Sequence, residues 1–118
     1  MSSKYNPIHL KLVESQLEAY NNRDLDKFLE CFHDEVAVYR LNTNEQVSLG
    51  LQVFSANYKK LFDSNPELHC ELKSRVVVAD LIVDEEYVTG RAAYPNNLHA
   101  FAVYGFRDNK IDRVWFGR

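Results

Sequence analysis

Pro66-Glu67-Leu68-His69-Cys70-Glu71-Leu72-Lys73-Ser74-Arg75-Val76-Val77-Val78 is the stretch in which the chain changes its period. Before Pro66 the apolar residues recur every three or four positions. After it Cys70, Leu72, Ser74, Val76 and Val78 alternate with Glu71, Lys73 and Arg75. The first spacing gives a helix one buried side, and the second sends alternate side chains of a strand to opposite faces. Proline lacks an N–H and has a fixed φ, so no helix runs through the boundary. Helices first and strands afterwards predict an α+β fold, with three helices from the N-terminal half packed on one face of an antiparallel sheet.

Upstream of the boundary, Asn6-Pro7 reads as a helix cap followed by proline at the first helical position. Leu12, Val13, Leu17 and Tyr20 then share one face, and Asn21-Asn22 ends the helix. Asp24 caps a second helix whose stripe is Leu25, Phe28, Leu29 and Phe32. Val36 to Leu41 is strand-like, and Asn42-Thr43-Asn44 breaks it. A third helix is expected from near Ser48-Leu49-Gly50 to about Ser64, with Leu51, Phe54, Tyr58, Leu61 and Phe62 as its stripe. Downstream, Asp84-Glu85-Glu86 reads as a turn, and Tyr87 to Ala93 as the returning strand. Pro95-Asn96-Asn97 precedes a strand from Leu98 to Phe106, and Arg107-Asp108-Asn109-Lys110 closes a hairpin into Ile111 to Phe116.

A chain of 118 residues with 46% hydrophobic residues fits one domain, here 1–118, that hides roughly two-thirds of its unfolded surface. Its net charge of −3 argues against a nucleic-acid partner held by bulk charge. No apolar run approaches the ~20 residues of a membrane span, and Met1-Ser2-Ser3-Lys4-Tyr5-Asn6 has no apolar stretch of a secretory signal. Cys31 and Cys70 read as buried thiols in a reducing cytoplasm. With four glycines and no Gly-rich phosphate loop, no nucleotide cofactor is expected, and His9, His33, His69 and His99 offer no metal-ligand spacing. The strand from Leu98 is apolar on both faces: Leu98, Ala100, Ala102, Tyr104 and Phe106 on one, Phe101 and Val103 on the other. Three helices cover one face of a small sheet, so the outer face predicts a homodimer, unless the sheet curls over itself.

Two segments resemble the opening of a known family. They are Gln16-Leu17-Glu18-Ala19-Tyr20-Asn21-Asn22-Arg23-Asp24-Leu25-Asp26 and Phe32-His33-Asp34-Glu35-Val36-Ala37-Val38-Tyr39. Phe106-Arg107-Asp108-Asn109-Lys110-Ile111-Asp112-Arg113-Val114-Trp115-Phe116 resembles its final hairpin. The family is the SnoaL-like branch of the nuclear transport factor 2-like superfamily, and the resemblance runs from about Ile8 to Phe116. It implies a cone-shaped α+β barrel, a curved antiparallel sheet enclosing an apolar pocket closed by helices, commonly a homodimer through the outer sheet face. The superfamily includes ketosteroid isomerase, polyketide cyclases, dehydratases, epoxide hydrolases and domains without known catalysis, so the fold does not supply the activity.

The isomerase branch implies a set of positions that can be compared. Its oxyanion tyrosine falls on Gln16, its carboxylate base on Arg40, its protonated acid on Ala102 and a supporting tyrosine on Tyr58. Three of the four depart, and an arginine does not accept a proton at working pH. The standard isomerase mechanism is therefore not expected.

The ligand-binding candidates are Gln16, Tyr20, Arg40, Tyr58 and Trp115. Gln16 lies within an apolar stripe, where it is either a pocket amide donating to a ligand or a marginal residue reaching water or backbone. Arg40 faces the pocket mouth and an anionic ligand if Val36 and Val38 point inward; otherwise it is a surface charge. Tyr20 and Tyr58 are core aromatics or pocket donors, and Trp115 walls the pocket or anchors the dimer. His99 has the parity of the outer face, and Asp80, Asp84, Glu85 and Glu86 read as a solvated hairpin end. No inward-facing general base is identified, which leaves the catalytic residues unknown. The function expected is binding of a small apolar molecule. It is either a cofactor-independent isomerase, dehydratase or cyclase acting on a carbonyl or carboxylate compound, or a non-catalytic ligand-binding or interaction domain.

Overall fold

The computed structural model describes residues 6–118; Met1–Tyr5, which carry part of the leader reading, lie outside it. Helix α1 spans Pro7–Asn21, opened by the Asn6 side chain accepting from the Ile8 N–H. Helix α2 is a short Leu25–Leu29, capped by Asp24, whose carboxylate accepts from the Lys27 N–H. Phe32, expected on that helix, is instead the first residue of strand β1, Phe32–Arg40. Strand β2 follows at Glu45–Leu49, and helix α3 at Leu51–Ser64. The remaining strands are β3, His69–Val78; β4, Leu81–Thr89; β5, Leu98–Arg107; and β6, Lys110–Gly117.

The six strands form one open sheet in the order β2-β1-β6-β5-β4-β3. It is mixed rather than purely antiparallel, because β1 and β6 run parallel. That pairing follows from connectivity. Once α3 has carried the chain across the sheet and β3 to β5 have turned back by hairpins, β6 arrives beside β1 in the same direction. The cone is thus a strongly curved sheet with three helices across its concave side. Phe28 centres the packing between them, stacked parallel to Phe54 at 5.8 Å and touching Tyr58 at 4.7 Å and Phe32 at 4.9 Å. Among the described residues no helix is long and apolar enough to cross a membrane.

Three further expectations are corrected. β2 was not anticipated: Ser48 and Leu49 belong to it, and α3 begins only after Gly50, whose φ of 95° makes the corner. β3 does not keep one face inward along its length. Its pairing with β4 shifts between Leu72 and Ser74, so Cys70 points in while Val76 and Val78 are left exposed. A bulge adds one residue to one side of the ladder and inverts every side chain beyond it. Finally, Asp84-Glu85-Glu86 is no turn. The turn falls at Ala79-Asp80, and the three acidic residues lie within β4, with Asp84 and Glu86 buried on the concave face between Ile82 and Val88.

Candidate functional site

The concave side encloses a cavity of about 620 Å³, walled by α1, α3 and the inward faces of the strands. Its lining is mostly aromatic and aliphatic. Among the described residues the charged ones on it are Glu86 in the wall and Arg40, Arg91 and Arg118.

Glu86 owes its position to β4. Side chains two apart share a face, so Asp84 and Glu86 point inward together. Across the ladder they pair with Ala102 and Ala100, whose small side chains leave room for two carboxyl groups. The two acids meet different fates. Asp84 is completely buried and takes a forked ion pair from Arg75, with Nε–Oδ1 at 2.7 Å and Nη2–Oδ2 at 2.9 Å. Arg75 faces inward only because the bulge in β3 has turned it there. Among the described residues no cation pairs with Glu86 in that way. Burial pushes its carboxyl up to about 7, and the nearby Asp84 charge pushes the same way; the Cys70 thiol, the Arg75 charge and the Tyr104 hydroxyl oppose them in part. A carboxyl poised near 7 in a cavity wall can both take and return a proton.

The groups around it stay neutral. Burial raises the hydroxyls of Tyr20, Tyr58 and Tyr104 and the Cys70 thiol, with the Glu86 charge adding to each shift, so they act as hydrogen-bond donors and not as bases. Gln16 holds Tyr104: its Nε2 donates to the Val13 carbonyl oxygen at 3.0 Å and to the Tyr104 hydroxyl at 3.2 Å. A hydroxyl that accepts there has its own hydrogen to give elsewhere, and Glu86 is within its reach. Cys70 is fixed by Asn21, whose side chain accepts from the Cys70 N–H at 2.8 Å and donates to its carbonyl oxygen at 3.0 Å.

Of the residues singled out from sequence, Gln16, Tyr20, Arg40 and Tyr58 line the cavity. Gln16 spends both amide hydrogens inside the protein, so it positions Tyr104 and has none left to donate to a ligand. Arg40 lies at the edge of the cavity, 61% exposed, with Glu45 of β2 at 3.3 Å. Tyr20 and Tyr58 stand edge to face at 6.4 Å. Trp115 does not line the cavity. Val114 and Phe116 take the inward parity of β6, leaving Trp115 on the outer face, stacked on Tyr39 at 5.7 Å. His99 is also outside, bonded to Glu85 at 2.6 Å, and Ser74 donates to the same carboxylate at 2.8 Å. His33 is mostly covered, near Arg107 and Asp108.

The reading from sequence missed Glu86, and with it the inward-facing acid–base group. Its signal was the period-two set Ile82, Asp84, Glu86 and Val88, masked by the intervening Glu85, which makes the run look solvated. Arg75 was the second clue, and the bulge hid its parity.

A family model described as a SnoaL-like domain matches residues 13–114. Among solved structures, an uncharacterised cystatin-fold protein from Novosphingobium aromaticivorans superposes with a TM-score of 0.83 at 23% identity, covering 93% of this chain and 97% of its own. A candidate polyketide cyclase from Sinorhizobium meliloti gives 0.77 at 16% identity, covering 91% and 94%. A candidate ketosteroid isomerase from Kribbella flavida gives 0.77 at 12%, covering 92% and 76%. No curated protein matches the chain in sequence. At these identities the likenesses show the fold alone.

Proposed function

The chain belongs to the SnoaL-like domain family, and from that premise we propose that it is a cofactor-independent enzyme that moves a proton on a small apolar carbonyl or carboxylate compound held in the cone. The observation that carries this reading is the Glu86 carboxyl, set in the cavity wall without a cation of its own and poised near 7. In its ionised form Glu86 takes a proton from the carbon next to the substrate carbonyl. The electron pair left behind moves onto the carbonyl oxygen, where a neutral tyrosine hydroxyl such as that of Tyr58 donates a hydrogen bond to the enolate. The carboxylic acid then returns its proton to a second carbon in an isomerisation or to a departing hydroxyl in a dehydration. In a cyclisation the enolate carbon instead bonds to a second carbonyl carbon, whose C=O electron pair moves onto its oxygen, and the Glu86 acid returns its proton to that oxygen. All three share the first step, so the base on β4 serves where the isomerase positions Gln16, Arg40 and Ala102 do not.

The outer sheet face, with Phe101, Val103, Tyr39 and Trp115, is proposed as a homodimer contact, and the free thiols Cys31 and Cys70 suit a reducing cytoplasm. The chemistry is tested without knowing the substrate. Ketones, carboxylates and lactones that raise the melting temperature are incubated with the protein in D2O, and exchange of their α-hydrogens is followed by NMR. Exchange by the wild type and its loss by about 100-fold or more in Glu86→Gln is the expected result. Ligands that bind without exchange in either protein would make the domain a non-catalytic binder.

A further inference from the structure

Among the described residues four charges line the cavity, and three of them are arginines in a chain whose net charge is −3. Most arginines of this protein are committed elsewhere. Arg75 forks onto Asp84, Arg107 reaches Glu35 and Asp112, Arg113 takes Asp112, and Arg23 donates to backbone carbonyls. At the cavity, Arg40 is answered by Glu45. Arg91 and Arg118 are different: among the described residues neither has an acidic partner at ion-pair distance. Both guanidinium groups instead lie against one ring, that of Tyr94, at 5.1 Å and 4.9 Å from its centre. A guanidinium held by a ring face keeps its N–H fork free.

The segment carrying Arg91 is built to hold it there. Gly90, at φ 73°, packs so closely on the Glu67 backbone that a Cβ would collide with it. Two residues on, the Ala92 N–H is tied to the Asn65 side chain at 2.8 Å. The Arg91 charge is also felt inside the cone, where it counters part of the upward shift of Tyr20 and Tyr58.

Resting on the reading of the cone as the reaction site, we propose that Arg91 and Arg118, clamped on Tyr94, form a seat for an organic carboxylate, so that the substrate is an apolar acid anchored by its anionic end. Its hydrocarbon body lies along the aromatic wall, and its reactive carbon reaches Glu86. The forked guanidinium geometry matches the two oxygens of a carboxylate.

The test uses two probes of nearly equal shape, 2-naphthylacetate and its neutral amide, titrated into isotope-labelled protein and followed by amide NMR, which reports affinity and location together. The wild type should bind the acid about 10- to 100-fold more tightly than the amide, with shifts at Glu86, Tyr94 and Ala100. Arg91→Gln with Arg118→Gln should erase that preference and leave amide affinity within about twofold. Arg107→Gln, which removes the same charge from a site outside the cavity, should keep the preference. Equal binding of both probes by the wild type would overturn the carboxylate seat while leaving the proton-transfer reading intact. Loss of the preference in Arg107→Gln would reduce it to bulk charge and overturn the seat as well. Binding of neither probe at millimolar concentration also rejects the seat, and the D2O exchange assay with Glu86→Gln then judges the reaction separately.

Discussion

The Gln16 amide donates to the Tyr104 hydroxyl oxygen at 3.2 Å, which leaves that hydroxyl its own hydrogen to give to Glu86. An amide in the apolar stripe of α1 thereby acts on a carboxyl of β4, one strand in from the sheet edge, without touching a substrate.

Donors to a carboxylate favour its charged form, so Tyr104→Phe should move the Glu86 midpoint upward from about 7. Gln16→Leu should move it in the same direction but less, because the hydroxyl is still present and only its aim is lost. The carboxyl carbon shift of Glu86, followed against pH, reads both. A midpoint indifferent to Tyr104→Phe would take Tyr104 out of the proton path.

The raised Glu86 pKa also has a stability signature. Between about 4.5 and about 7 the folded protein holds a proton that the unfolded chain has released. This contribution is therefore present in full below 4.5 and lost as pH rises through 7; it amounts to on the order of 3 kcal/mol. Urea unfolding of wild type and Glu86→Gln across pH 4 to 8 should show the wild type losing stability relative to the variant over that window. Parallel curves would mean that Glu86 titrates alike in both states.

Breaking the Arg75–Asp84 pair from one side leaves the other charge buried. Asp84→Ala should cost about 3–5 kcal/mol, whereas replacing both partners with apolar residues of similar volume should cost far less. Thermal unfolding of the two single variants and the double variant separates these outcomes. Additive losses would show that the pair is not coupled.

Val103→Lys places a charge in the middle of the outer sheet face, next to Trp115 across the ladder. If that face joins two copies, light scattering should find a monomer or an insoluble protein. An unaltered soluble dimer would move the contact to another surface.

Helix α1, its Asn6-Pro7 start and the alternation of β5 were readable from sequence because their local patterns agree with their tertiary surroundings. The site was less legible, for two reasons. Parity is a property of pairing: nothing in Leu72-Lys73-Ser74 announces a bulge, yet that bulge turns Arg75 inward and Val76 outward. An acidic run looks solvated until a buried cation is known to answer it, and Asp84 is answered only through that same bulge. Trp115 shows the reverse case, since its flanks Val114 and Phe116 are apolar too and either parity fits the composition.

The parallel seam between β1 and β6 joins residues such as Val38 and Val114, about two-thirds of the chain length apart. Such topologies are slow to fold, because a long loop must close before any of the seam's contacts form. During synthesis the helices and the β3–β4 hairpin emerge well before β6. The cone therefore completes late, and until then its aromatic interior is open to water, to chaperones and to other nascent chains.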